Sequence, residues 1–215
     1  MKRFFIISSL FFVSLMIAAS SWYLTKFNSG HTANSTANSK TDAGKKLMVE
    51  LKTHADSVKP FLKINSYSLT YCFLIDMRIE SGANRFFIYD LGKDSIINEG
   101  LVTHGRCNKA WLTGRKYANE VGCGCTSLGK YKIGNSYRGR FGLAYKLYGL
   151  DSSNSNAFKR FVVLHAHNCV PNEQVTPAPV CQSDGCPTVS KPFLQSLASI
   201  IDKSEKPVLL WIYDN

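Results

Sequence analysis

From Ser68 onward the chain breaks into short runs of β-branched and aromatic residues punctuated by Gly and Asn, and this rhythm limits the available folds more than any other feature. LTYCFLIDMRI and RFFIYDL are joined by ESGAN, which reads as a hairpin. INEGLVTHG, LGKYKIG, FGLAYKLYGL and RFVVLHAH follow as further strands, and PVLLWIYD closes the chain as a buried one. One late segment breaks the pattern. SKPFLQSLASIIDKS spaces Phe193, Leu194, Leu197, Ile200 and Ile201 as a helix does. The expectation is a single mainly β domain over residues 65–215 with one late helix and no internal repeat.

The preceding residues differ in kind. In DAGKKLMVELKTHADSVKPFL, the residues Leu47, Met48, Leu51, Ala55 and Val58 mark an amphipathic helix that packs on the domain. This helical segment is set at residues 43–64, and Pro60 is expected to stop the helix. NSGHTANSTANSK is small and polar, so residues 26–42 read as a flexible tether. Residues 1–25 open with Lys2 and Arg3 before a 21-residue uncharged, mostly apolar run, Phe4 to Leu24. Basic residues before such a run read as an export signal, and its length also suits an uncleaved membrane anchor. MIAASS fits a cleavage site only loosely, so both readings stay open. No cysteine precedes Cys72, which disfavours a lipoprotein anchor. Either reading places the domain outside the cytoplasm, in the periplasm or cell envelope.

Composition narrows the partners. Lys and Arg number 26 against 15 Asp and Glu, a formal charge of +11. Such a surface favours anionic surroundings: wall polymer, lipid head groups or nucleic acid. Export argues against nucleic acid, as does the scatter of the basic residues. Seven cysteines in an exported chain imply disulfides, and an odd number leaves at least one thiol over.

His165 and His167 end the run RFVVLHAH, and side chains two apart on a strand share a face. A hydrogen-bonded, half-buried histidine is the plainer reading of either one alone. In VCQSDGCPTV, Gly185 precedes Cys186, and a helix is expected to begin near Ser190. A helix N-terminus and a nearby imidazole would both lower a thiol pKa, giving a Cys–His ion pair. The plainer reading of an exported cysteine is a disulfide. A metal site from Cys123 and Cys125, or from His165, His167 and Cys169, fits poorly, because structural zinc pairs leave gaps of two to four residues. No metal is expected.

The ordered set RFVVLHAH…QSDGCPTV, with FFIYDL, VTHG, TSLGKY, FGLAYKLYGL and ASIIDKSEKPVLLWIY, resembles the YkuD-type L,D-transpeptidases over about residues 70–213. Gly-Cys-Pro at 185–187 is similar to the murein L,D-transpeptidase subfamily. The resemblance implies an L,D-transpeptidase-type β-sandwich with an N-terminal helix and one helix after the cysteine. It implies Cys186 as nucleophile, His165 as catalytic histidine with His167 as second candidate, and a backbone carbonyl orienting the histidine. Backbone N–H groups around Gly185 and Cys186 would form the oxyanion site, and Ser183 would brace the loop. Asp184, His104 and Gly105 are candidates for substrate binding. The implied reaction is acyl transfer on peptidoglycan stem peptides by a monomer without metal or organic cofactor, held at the membrane by its N-terminal segment.

Three features depart from the family. Asp184 stands where many relatives have histidine, Thr188 where they have arginine or asparagine, and Ala166 where glycine follows the histidine. Cys169 is expected to pair with Cys181, closing the PNEQVTPAP loop as a wall of the cleft. Cys107 is expected to pair with Cys123 or Cys125, and a blocking Cys181–Cys186 bridge is the competing arrangement. Another wall-directed cysteine peptidase, or a disulfide-rich wall-binding module with Cys186 paired, are the alternatives.

Overall fold

A computed structural model describes residues 33–215, with side chains from residue 42 onward. The expected export segment and the start of the expected tether lie outside the described residues. The chain divides into Met1–Leu47 and Met48–Asn215. The described part of the first unit is helical. The second unit carries the sheet and the candidate site.

Helix α1 spans Ala33–Ile64. It therefore begins inside the stretch read as a tether, where Ala33 and Ala37 supply helix propensity that the Asn, Ser and Thr content masked. Pro60 does not stop it. The proline lies on the exposed side of the helix, while Val58 and Leu62 on either side are buried and hold the last turn against the domain. Leu51, Ala55, Val58 and Leu62 form the buried stripe. His54 stacks on Tyr213 at 3.8 Å and meets Trp211 edge-on, and Arg78 reaches Glu50 at 2.8 Å.

Eight strands follow: β1 Tyr71–Asp76, β2 Phe86–Asp90, β3 Ser95–Gly100, β4 Gly129–Gly139, β5 Gly142–Gly149, β6 Val163–Ala166, β7 Thr188–Val189 and β8 Leu209–Tyr213. Helix α2, Lys191–Ile201, lies between β7 and β8. The strands form one sheet in the order β3-β2-β1-β8-β4-β5-β6-β7. Two of the pairings, β1 with β8 and β6 with β7, are parallel, and the rest are antiparallel. β1 and β8 sit mid-sheet with both faces covered, so their sequences are near-continuous apolar runs rather than alternating ones.

The sandwich-like form comes from curling of this one sheet. Laid flat, eight strands would span roughly 34 Å, while an 11-residue helix is about 16 Å long. Yet α2 contacts both β3 and β6, which lie near opposite ends of the strand order. The sheet wraps around α2, whose Phe193, Leu194 and Leu197 share one core with Phe86, Tyr131 and Leu164. The helix is anchored by its cap, where the Ser190 side chain accepts from Phe193 N–H and Pro192 occupies the first turn. The mainly β architecture with one early and one late helix is as the sequence led us to expect.

Candidate active site

The chain between β6 and α2 holds the candidate residues Ser183 to Cys186, and its neighbours clamp it on two sides. In the register of β6 and β7, His165 is paired with Thr188. On the other side, Thr103 N–H donates to Thr188 C=O at 3.0 Å, Ser183 N–H to His104 C=O at 2.9 Å, and Arg106 N–H to Ser183 C=O at 2.9 Å. Residues 183–188 are thereby pinned between the segment after β3 and the end of β6.

Within that turn Ser183 Oγ donates to Cys186 C=O at 2.7 Å and accepts from Gly185 N–H at 3.1 Å. Gly185 N–H is thereby engaged within the turn, and among the described residues Cys186 N–H is not. Gly185 has φ +109, and a Cβ there would lie 2.6 Å from the Cys125 carbonyl oxygen. Gly185→Ala is expected to lower any activity that depends on this turn by about 100-fold, because a misplaced reactive group costs orders of magnitude in rate. Steady-state rates alongside a melting curve check this, the fold being retained.

A cleft of about 420 Å³ opens above the turn, lined among others by Cys186, His165, His167, Thr188, Ser183 and Asp184. Cys186 is a free thiol, so neither the blocking bridge with Cys181 nor the fully paired wall-binding module matches the structure. Its Sγ accepts from Val163 N–H at 3.5 Å and lies 3.7 Å from the Phe161 carbonyl. Burial pushes the thiol up, with Asp184 adding to this, while the Val163 N–H and the Arg160 charge pull the other way.

The two histidines differ in what they can do. His165 is buried and stacks on Phe141 at 4.8 Å. Its Nδ1 lies 3.1 Å from Ala166 C=O, and since a carbonyl only accepts, Nδ1 carries the proton. Nε2 is then the basic nitrogen, 3.1 Å from Thr188 Oγ1. Burial lowers the His165 pKa, partly offset by the Ala166 carbonyl. His167 is exposed, and its Nδ1 accepts from Cys169 N–H at 3.1 Å, so its neutral form holds the proton on Nε2 and offers no free base.

Cys186 Sγ meets Val163 N–H and Phe161 C=O while His165 Nε2 meets Thr188 Oγ1, so the expected preformed ion pair is not seen, and burial favours the neutral form of each group. Nor does the dipole of α2 reach the thiol. α2 starts at Lys191, five residues past Cys186, and such effects fade beyond the first turn.

Asp184 is exposed, and its carboxylate is taken by Arg106 Nε at 2.7 Å, which offsets a negative charge beside the thiol. Gly105 bridges to Ser183 and has its N–H on Thr126 Oγ1 at 2.8 Å, so it holds the turn. His104 lines an adjoining cavity of about 220 Å³ with Arg85 and Gln182, and its pKa falls to about 4 through burial and the Arg85 charge. Neither residue lines the Cys186 cleft.

Disulfides join Cys169 to Cys181 and Cys107 to Cys125, which removes a thiolate from each of the two candidate metal sets. Cys123 stays free. Cys169, Cys181 and Gln182 reach the cleft, but the middle of the PNEQVTPAP loop does not. Val170 and Val180 instead pack with Leu101, and Val175 N–H bonds Gly82 C=O, because apolar side chains in the loop find a small core of their own. Sequence reasoning missed Thr103, Arg106, Trp111 and Phe141, all in the cleft lining. Thr103 lies inside the motif VTHG and Phe141 opens FGLAYKLYGL, so only these two carried a signal that could have found them.

Residues 45–213 match the family described as the L,D-transpeptidase catalytic domain. No curated protein matches the chain significantly. Among solved structures, the chain is similar to the Ldtfm–avibactam carbamoyl enzyme at 11% identity, covering 68% of this chain and 49% of that one, with a TM-score of 0.42. It is similar to the helical cell shape determining protein Pgp2 from Campylobacter jejuni at 14% identity, with 68% and 48% covered and a TM-score of 0.42. It is also similar to an L,D-transpeptidase from Mycobacterium smegmatis at 12% identity, with 67% and 58% covered and a TM-score of 0.39. The chain spans about half the length of the first of these.

Proposed function

Because the chain belongs to the L,D-transpeptidase catalytic domain family, we propose that it transfers acyl groups on peptidoglycan stem peptides through a thioester on Cys186. The observation that carries this reading is the free Cys186 thiol sharing one cleft with an imidazole whose basic nitrogen is unprotonated. His165 Nε2 takes the thiol proton as Sγ attacks the carbonyl of the third stem residue, a diamino acid. The Cys186 N–H faces the developing oxyanion. The bond to the fourth residue breaks, and D-alanine leaves with the proton from His165. An amine of a neighbouring stem then attacks the thioester, which forms a 3–3 crosslink and returns the proton to Cys186. Water in place of the amine gives an L,D-carboxypeptidase. Thr188 Oγ1 holds Nε2 in the resting state and must release it as the thiol approaches.

Gly185-Cys186-Pro187 supports membership of the Gly-Cys-Pro subfamily. Export to the periplasm or envelope, with residues 1–25 as signal or membrane anchor, is supported by Lys2, Arg3, the apolar run and two disulfides. Among the described residues, no helix is long and apolar enough to cross a membrane.

Incubation with purified tetrapeptide muropeptides tests the reaction. D-alanine release with tripeptide or 3–3 dimer products is expected. A folded protein that releases no D-alanine contradicts the reading.

A further inference from the structure

We propose that Arg160 is a positioning residue that holds the nucleophile turn and supplies the positive charge that makes the Cys186 thiolate attainable, deepening the nucleophile role proposed above.

Arg160 sits in the turn before β6, and its guanidinium crosses to the loop that carries the Cys107–Cys125 bridge. Nη1 donates to Ala118 C=O at 3.0 Å and to Ser127 Oγ, and Nη2 donates to Cys125 C=O. Cys125 C=O is the atom that lies against Gly185, and Arg160 Nη2 would lie 3.2 Å from a Cβ placed on that glycine. The guanidinium therefore underlies the backbone just before the reactive thiol.

All three partners are neutral, and Arg160 has no ion pair among the described residues. Its charge is not cancelled at source. Arg106, the other cation of the turn, is spent on Asp184. Burial disfavours a charge on His165, and α2 begins too far away. The same short stretch also brings Val163 N–H and Phe161 C=O to Sγ, the latter with Phe161 at φ +56. Residues 160–163 thus offer the thiolate one N–H and one charge, carried into the start of β6. Against them stand burial and the Asp184 carboxylate.

The test needs no wall substrate, so it is separate from the reaction itself. The pH dependence of iodoacetamide alkylation at Cys186 is followed by peptide mapping in the full chain, for wild type, Arg160→Met, Arg160→Lys and Asp184→Asn. Arg160→Met is expected to move the alkylation midpoint to higher pH and slow the reaction at pH 7 by about tenfold, leaving the high-pH plateau rate in place. Arg160→Lys keeps the charge without the planar fork and should stay within about threefold of wild type at pH 7. Asp184→Asn should speed alkylation at pH 7 by about twofold.

A midpoint unmoved in a folded Arg160→Met protein would overturn the proposal, and so would a fall in plateau rate alone, which marks a mere brace. Should Arg160→Met not fold, the other two variants decide. A lysine variant as slow as tenfold below wild type, or an asparagine variant no faster than wild type, overturns it.

Discussion

Cys186→Ser is expected to lower D-alanine release from tetrapeptide muropeptides by roughly 10⁴-fold or more, with the melting transition unchanged. A serine hydroxyl fits the same space, so Ser183 Oγ and Thr103 Oγ1 keep their bonds to the residue-186 carbonyl. What is lost is acidity and nucleophilicity. Burial already holds the Cys186 thiol above its ordinary value, and a hydroxyl in the same site lies far out of reach of one neutral imidazole. Activity within tenfold of wild type would mean that the thiol does not form the acyl bond.

His165→Gln is expected to cost about 10³-fold in kcat, the range of a positioned general base. The pH profile is the more telling readout. Burial lowers the His165 pKa, so the imidazole stays neutral and able to accept a proton somewhat below pH 6.5. The wild-type rate should therefore hold at mildly acidic pH and fall only as His165 is protonated below its lowered value. In His165→Gln that acid limb disappears, and the residual rate rises with pH as the thiol ionises unaided. His167→Gln should keep the wild-type profile, because Cys169 N–H already occupies its Nδ1. A lost acid limb in the His167 variant would exchange the two roles.

Much of the fold and of the site is legible in the chain itself. The apolar runs of β1 and β2, the helical spacing of Phe193, Leu194 and Leu197, and the spacing from His165 to Cys186 each leave a pattern or motif in the sequence. Other features leave none. β7 is two residues long, Thr188 and Val189, and is a strand only because β6 lies beside it. Whether eight strands make two sheets or one curled sheet depends on long-range pairing, with β8 inserted between β1 and β4. Pro60 shows tertiary burial overriding a local rule. Arg160 and Arg106 were invisible because single arginines in loops carry no pattern, and their meaning comes only from the carbonyls and carboxylate they reach. The expected dipole support for Cys186 is absent for a different reason. The helix does start near Ser190, as its sequence indicates, but a dipole effect fades over the four residues between Cys186 and Lys191.

Intact-protein mass spectrometry after brief mixing with a tetrapeptide muropeptide tests the proposed chemistry most directly. Cys186 acylation predicts an adduct equal to the muropeptide less D-alanine, mapped to the peptide containing Cys186 and absent in Cys186→Ser. A folded protein whose Cys186 is open to alkylation, yet which forms no adduct and releases no D-alanine, would contradict it.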